Sequence, residues 1–502
     1  MNKRIYAMCV ASTLAVTFLG VRVLGLGIIK HSDYTRKVLA QQKTTRTIAP
    51  IRGTIYDRSL IPLTDRSDEL CHIADDASVA KGTGRAWLSV SARHKAGEIL
   101  AHVTGYTAND GSGLSGIEKK YDNVLKGTDF YTVTYNADAA GRPLKDGQLS
   151  LDETKSKNPN GIRLTIDYHI QKCVEDVMDS YIPRGAAVVL DCQSFDVLAM
   201  ASRPSYDASD VSESLQSDGG ELLNRALCAY NAGSVFKIVT AAAALEGNSA
   251  YANRLFDCTG SFTADSHTFL CHKADGHGIQ DFSHSFANSC NCAFYDTALT
   301  TGGKKLTDTA LKLGLGHKVL GWDNEESSGL IPRKSLYPAL ESINLGIGQG
   351  DILITPLQCA LMAATVATGG VRKSVNIADS VTDELGNTLY SIRRDDSIKA
   401  MSPSAASAIA SMMRLSVTDG TAKLAALSSV PIAGKTGSAE TGWRSDDGTL
   451  KVHGWFCGFF PYDNPRYALA VFCEDGKSGA ESCIEPFVKI CEKITQIYPL
   501  KQ

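Results

Sequence analysis

Apolar and polar positions divide this chain into three zones. In the first, Lys3 and Arg4 precede an uncharged, mostly apolar run from Ile5 to Val21, and after Arg22 a second apolar stretch runs Val23–Ile29. About 20 such residues cross a bilayer as a helix, so residues 1–30 predict a membrane anchor in which Arg22 snorkels to an interface. No A-x-A site follows the run and Cys9 lacks a lipobox context, which favours an uncleaved anchor over a signal peptide. The second zone, residues 31–160, is mixed and glycine-bearing. Its short alternating runs, such as Tyr131–Tyr135, predict strands in a small β-rich region. In the third zone, residues 161–502, a helix is predicted over Tyr168–Ser180 and strands over Ala186–Leu190 and Val197–Ala201. A helical middle is followed by strands at Ile432–Ser438, Trp455–Phe460 and Tyr467–Cys473, then a helix at Ile484–Tyr498. Strands from both ends of a zone with a helical block between them predict an α+β fold: one antiparallel sheet with helices on both faces.

Composition adds one exclusion. With 43% hydrophobic and 21% charged residues and a net charge of −3, the chain has ample core and nothing that asks for nucleic acid. Charge does not orient the anchor. Lys30, Arg36, Lys37, Lys43, Arg46, Arg52 and Arg58 follow the span and only two basic residues precede it, which opposes a simple positive-inside reading.

Chemistry enters with Asn231–Glu246, N-A-G-S-V-F-K-I-V-T-A-A-A-A-L-E. Ser234 and Lys237 are three apart, so on a helix they share a face. A serine hydroxyl needs a neighbouring base, and a lysine serves only if desolvation or a nearby cation lowers its pKa. The apolar run Ile238–Leu245 supplies that burial. Alone, the pair reads equally well as a capping serine and a solvated lysine. Two later stretches change this: Ser289-Cys290-Asn291, opening the apolar segment Ala293–Leu299, and Lys435-Thr436-Gly437-Ser438 after Val430–Ala433. Serine-x-x-lysine, serine-x-asparagine and lysine-threonine-glycine, in that order, form the signature of the penicillin-recognising acyl-serine enzymes.

Around these motifs the sequence resembles the transpeptidase domain of class B penicillin-binding proteins. The likeness rests on Gly185–Asp207, Asn224-Arg225-Ala226, Gly348-Gln349-Gly350 with Thr355-Pro356-Leu357-Gln358, and His453–Pro461. A thinner likeness reaches Arg52-Gly53-Thr54-Ile55-Tyr56-Asp57-Arg58 and Gly116-Ile117-Glu118. Ala232 departs from the pattern, because the family usually has proline there, and is expected to loosen the approach to the helix. The resemblance implies a membrane-anchored D,D-transpeptidase with its catalytic domain outside the cell, a short pedestal or dimerisation-like domain over residues 31–160, and no cofactor for catalysis. A D,D-carboxypeptidase side activity fits the same chemistry. Ser234 would be acylated by peptidoglycan stem peptides and by β-lactams, with Lys237 as base. Ser289 would relay a proton between Lys237 and the leaving amine, and Asn291 would hold the substrate amide and the lysine. Lys435 and Thr436 would meet the terminal carboxylate, Gly437 would let substrate lie against the strand, and the amides of Ser234 and Ser438 would form the oxyanion hole. A membrane glycan polymerase is the implied partner, since no polymerising domain fits ahead of residue 161. A serine β-lactamase, which would need a base for the deacylating water, and a β-lactam or cell-wall sensor without turnover are the alternatives.

Fourteen cysteines need their own account. Cys9, Cys173, Cys359 and Cys457 lie in apolar runs and read as small buried hydrophobes. Cys258, Cys271, His277 and Cys290 fall in one glycine-rich polar segment, and three thiolates with an imidazole match a closed tetrahedral zinc site. A Cys258–Cys271 disulfide and free thiols stay open beside it, and His272 or His284 could replace His277.

Overall fold

The computed structural model describes residues 3–47, 52–64, 71–72, 89–90, 93–94, 97–108, 111–126, 130–136, 150–154, 160–332, 339–444 and 448–500. The chain forms two compact units: Met1–Ile51 with Ser67–Ser91 and Gly127–Asn158, and Arg52–Arg66 with Ala92–Lys126 and Pro159–Gln502.

In the first unit a helix, Lys3–Leu24, runs on through a wider turn, Gly25–Ile29. The 27 residues Lys3–Ile29 are long and apolar enough to cross a membrane, and none is buried. Cys9 stands exposed on this helix, so the reading of it as a core residue is corrected. Further on, Lys43–Thr47, Phe130–Asn136 and Ser150–Thr154 make an antiparallel sheet with Phe130–Asn136 in the middle, which takes up the alternating run Tyr131–Tyr135.

The second unit is organised on a five-stranded antiparallel sheet. Its strands lie in the order Ala433–Arg444, Leu450–Phe460, Tyr467–Gly476, Gly185–Asp191, Val197–Arg203. Two strands from early in the unit thus sit beside three from its end. Alternation along each strand sends side chains to two separate cores. Ala186, Val188, Leu190, Trp455, Cys457 and Phe472 pack with the helices Lys237–Leu245 and Pro356–Ala367. On the other face Ala187, Val189, Phe456, Phe460 and Leu469 pack with the helices Tyr168–Tyr181 and Gly479–Ile497. The Thr355-Pro356-Leu357-Gln358 stretch has a local cause: Thr355 and Gln358 form a reciprocal capping box, and Pro356 starts the helix.

The short N-terminal motifs also have physical reasons. Ile55–Tyr56 runs parallel to Gly161–Leu164 in a four-stranded sheet of the second unit. Arg52 Nε donates to Glu118 Oε2 at 2.8 Å and its Nη1 to Asp122 Oδ1 at 2.6 Å, while Arg93 also pairs with Glu118. Burial alone would raise the pKa of Glu118, but Arg93 and Arg52 overcome it and hold the carboxyl below its ordinary range. The expected pedestal span, residues 31–160, is shared between the two units: residues 52–66 and 92–126 group with the larger one, in which Ile55–Tyr56 pairs with Gly161–Leu164.

Candidate active site

Ser234 lies in a tight 3₁₀ turn, Gly233–Phe236, and Lys237 begins the α-helix that follows. One continuous helix was expected; the chain instead tightens at the serine. Gly233 has φ +55°, and a Cβ there would meet Ser438 O at 2.6 Å. Glycine is required by both the backbone conformation and the closeness of the neighbouring strand. Gly233 N donates to Gly348 O at 2.9 Å, so the Gly348-Gln349-Gly350 loop braces the turn from the other side. Ala232 is fully buried with φ −72°, a value proline would also hold, and no loosening of the approach is visible. The Ser234 hydroxyl has no hydrogen-bond partner among the described residues and opens on a cleft of about 380 Å³.

Lys237 is completely buried. Its Nζ donates to Ser289 O at 2.6 Å, to Ser289 Oγ at 3.1 Å and to Asn291 Oδ1 at 2.7 Å, and stands 5.3 Å from the centre of the Phe294 ring. Burial pulls its pKa down from 10.5 to about 7, against the smaller opposing pull of Cys290, Cys271 and Cys292. The amine is thus available as a base near neutral pH, which is the condition the sequence argument set. The partners come from a turn held in an unusual conformation. Ser289 has φ +55°, Ser289 N donates to Phe286 O and Cys290 N to Ser285 O, and the helix Asn291–Thr301 begins directly after.

The strand Ala433–Arg444 forms the facing wall. Thr436, Ser438 and Glu440 line the cleft, and Thr436 Oγ1 lies 2.7 Å from Thr421 Oγ1. Lys435, expected on the edge that meets the carboxylate, is completely buried behind it. Its Nζ donates to Thr436 O at 3.2 Å and sits 5.7 Å from the Phe286 ring centre. Burial first, and the neighbouring Lys237 charge second, push its pKa well below the ordinary value. Gly437 serves a different purpose from the one expected. A Cβ there would meet Val235 Cγ1 at 2.9 Å and Val235 N at 3.1 Å, so the missing side chain lets the strand pack on the nucleophile turn. The structure therefore brings Ser234, Ser289, Asn291, Thr436 and Ser438 to one cleft, with both lysines behind its surface.

Comparisons with known proteins agree with this geometry. The sequence profile described as "Penicillin binding protein transpeptidase domain" matches residues 185–490. The peptidoglycan D,D-transpeptidase PbpA of Mycolicibacterium smegmatis is 31% identical over 411 residues, covering 76% of this chain and 78% of that protein. The chain belongs to the class B penicillin-binding proteins. Stage V sporulation protein D of Bacillus subtilis is 30% identical over 397 residues, covering 76% of this chain and 59% of that relative. The chain thus spans about three fifths of the first curated relatives it matches. Among solved structures, the apo form of penicillin-binding protein 3 of Mycobacterium tuberculosis superposes with a TM-score of 0.71 at 25% identity, covering 91% of this chain and 98% of that one. That mycobacterial protein has also been solved with aztreonam and with ampicillin.

This penicillin-binding protein carries a second cluster behind the serine-x-asparagine turn. One ligand atom from each of Cys258, Cys271, His277 and Cys290 lies within 4.8 Å of the others. His277 Nδ1 is 3.5 Å from Cys258 Sγ and 3.6 Å from Cys271 Sγ. A tetrahedral zinc with Zn–S near 2.3 Å and Zn–N near 2.0 Å sets sulfur-to-nitrogen separations at about 3.5 Å. The donor set and its spacing therefore fit zinc. Cys258 and Cys271 are free thiols. Of the other histidines, His284 turns to Asp281 at 2.8 Å, while His272 lines the catalytic cleft with its Nδ1 3.9 Å from Cys271 Sγ, farther than His277. Cys292, buried beside Cys271 and Cys290, is a neighbour that sequence reasoning missed; its two-residue spacing from Cys290 was the available signal. Thr421, Gln349, Glu440 and Lys477 also line the cleft and were not foreseen. Of these, Glu440 had a signal in the period-two continuation of Thr436 and Ser438, and Gln349 in the Gly348-Gln349-Gly350 stretch of the family likeness.

Proposed function

We propose that this chain is a membrane-anchored, serine-type D,D-transpeptidase that cross-links peptidoglycan stem peptides and is acylated by β-lactams. The observation that carries the reading is the buried Lys237 amine, with its pKa near 7, held by Ser289 and Asn291 beside an unengaged Ser234. Ser234 Oγ attacks the carbonyl carbon of the penultimate D-alanine and its proton passes to Lys237. The amide C–N bond breaks, the leaving D-alanine takes its proton through Ser289, and an amine from a neighbouring stem displaces Ser234 from the acyl-enzyme. The amides of Ser234 and Ser438 stabilise the oxyanion, where losing one donor costs about 10²–10³ in rate. Thr436, Ser438 and Thr421 offer hydroxyls to the terminal carboxylate, and Asn291 holds the substrate amide as well as Lys237.

The apolar helix Lys3–Ile29 supports a single-pass anchor, while the placement of the catalytic unit outside the cell and the membrane glycan polymerase as partner rest on membership of the family. Residues 31–160 contribute a pedestal. Catalysis uses no cofactor. Zinc held by Cys258, Cys271, His277 and Cys290 would have four protein ligands and no open position, so its contribution is structural. It would fix Cys290, and with it the orientation of Ser289 and Asn291 on either side. The rival Cys258–Cys271 disulfide would remove two of the four ligands.

Mass spectrometry after fluorescent penicillin labelling should place the adduct on the Ser234 peptide and lose it in Ser234→Ala; an adduct on another serine overturns the assignment. Metal analysis of the reduced protein should give about one zinc per chain, lost in Cys290→Ser with a lower melting temperature. A metal-free protein with a Cys258–Cys271 bond in the peptide map rejects the zinc site.

A further inference from the structure

The cleft carries two charges that the chemistry above does not use. Glu440 and Lys477 both line it, both are exposed, and neither side chain forms an ion pair or hydrogen bond among the described residues. The nearby Lys451 and Asp475 are by contrast already paired at 2.9 Å. Strand geometry fixes where the two free charges lie along a bound substrate. Thr436, Ser438 and Glu440 project to the same side at a rise of about 3.3–3.4 Å per residue. In the transpeptidase reading, on which this inference rests, the terminal carboxylate lies at Thr436 and the reacting carbonyl at the Ser438 amide. The substrate residue that precedes that carbonyl therefore continues toward Glu440.

Across the sheet Glu440 is opposite Val452, and Val452 is opposite Gly476, the residue before Lys477. With strands about 4.8 Å apart, the backbones that carry Glu440 and Lys477 are separated by roughly 10 Å. Two side chains of opposite sign rooted at that distance, unpaired with each other, bracket a small group carrying both signs. The third residue of a stem peptide has a long amine-bearing side chain. In diaminopimelate the end of that side chain is a zwitterion with an ammonium and a carboxylate, and in lysine it is an ammonium alone.

We infer that Glu440 and Lys477 are specificity residues for the third position of the donor stem, selecting diaminopimelate: Glu440 receives the ammonium and Lys477 the carboxylate. Both contacts are solvent-exposed, so each is worth about a two- to fivefold preference and weakens at high salt.

The test uses the full chain in detergent, glycine as a common acceptor amine to regenerate Ser234, and three donor pentapeptides whose third residue is meso-diaminopimelate, lysine or Nε-acetyl-lysine, with D-alanine release as the readout. Only ratios of kcat/KM within one protein are compared, so general losses in a variant cancel. The wild type should prefer diaminopimelate over lysine, and lysine over acetyl-lysine, by two- to fivefold each. Lys477→Gln should erase the first ratio and keep the second; Glu440→Gln should erase the second and keep the first. This crossed pattern is one that a merely structural role for either residue would not produce. Flat ratios in the wild type, or ratios that both variants leave alone, overturn the inference while D-alanine release still upholds the transpeptidase. No release from any donor by protein that fluorescent penicillin still acylates overturns both.

Discussion

Lys237 ties the proposed chemistry to a quantity that can be titrated. Its amine is completely buried and its pKa is lowered to about 7 by that burial. An ordinary lysine, with a pKa near 10.4, is neutral at pH 7 in only about one molecule in a few thousand. At a pKa of about 7 half the molecules carry the free base, a gain of about 10³. The acylation rate should then rise about tenfold from pH 6 to pH 8, as the neutral fraction goes from about a tenth to about nine tenths, and level off above. The same shift bears on stability. The unfolded chain binds a proton at Lys237 up to about pH 10.4 and the folded chain only up to about pH 7, so unfolding takes up a proton between those values. Stability therefore rises with pH across that window, by up to about 1.4 kcal/mol per unit from this group. Below pH 7 the full penalty is present; above pH 10.4 it is gone. Lys237→Met removes the titration, along with a constant loss of hydrogen bonds. The difference in unfolding free energy between wild type and Lys237→Met should thus change with pH from 7 to 10, moving in favour of the wild type. Stopped-flow acylation with a chromogenic cephalosporin and urea unfolding at several pH values read the two effects. Flat acylation from pH 6 to 8, or parallel stability curves for the two proteins, would refute the burial argument.

Three further outcomes follow from named contacts. Arg52→Met leaves Glu118 buried without one of its cationic partners and should lower stability by about 3–5 kcal/mol in urea unfolding; a loss under about 1 kcal/mol contradicts the cluster's role. Gly437→Ala drives a Cβ to 2.9 Å from Val235 Cγ1 and should slow acylation at least about tenfold, with partial rescue by Val235→Ala; no rescue places the fault elsewhere. Lys435→Ala removes the buried Nζ contact behind Thr436 and should slow acylation alike for compounds with and without a substrate-type carboxylate, whereas a loss confined to carboxylate-bearing compounds would return the lysine to the substrate edge.

The sheet was legible because its strands are short continuous apolar runs buried on both faces: Ala186, Val188 and Leu190 go to one core and Ala187 and Val189 to the other. The three motifs were legible because each is short and its chemistry depends on residue type. What the sequence does not display is contact between distant segments. Nothing near Arg52 signals that Glu118, sixty-six residues on, is its partner, and nothing near Ile55 signals its pairing with Ile162, so residues 52–66 and 92–126 were not read with the larger unit. The metal-type cluster was readable from its cysteines and histidine because donors of that kind are scarce, whereas Thr421 carries an unremarkable hydroxyl that matters only because it stands 2.7 Å from Thr436.

The assignment that changed most, Lys435, shows why a motif is not a surface. Lysine-threonine-glycine reads as one functional phrase, and its first two residues were given one task, meeting the carboxylate. On a strand, neighbours point to opposite faces, so Lys435 and Thr436 cannot both line the cleft. The strand resolves this by splitting the motif: Thr436 and Ser438 face the substrate, while Lys435 and Gly437 face the nucleophile segment behind them. Lys435 then acts where it is buried. It lies close enough to Lys237 for each charge to disfavour the other, and two ammonium groups side by side without a carboxylate between them would be costly in so dry a place. The Lys237 charge, after burial itself, makes it harder for Lys435 to keep a proton, so the lysine of the third motif is set partly by the base of the first. The distance along the chain from 237 to 435 hides this coupling, and the five-stranded sheet, by laying the strand Ala433–Arg444 against the turn Gly233–Phe236, creates it.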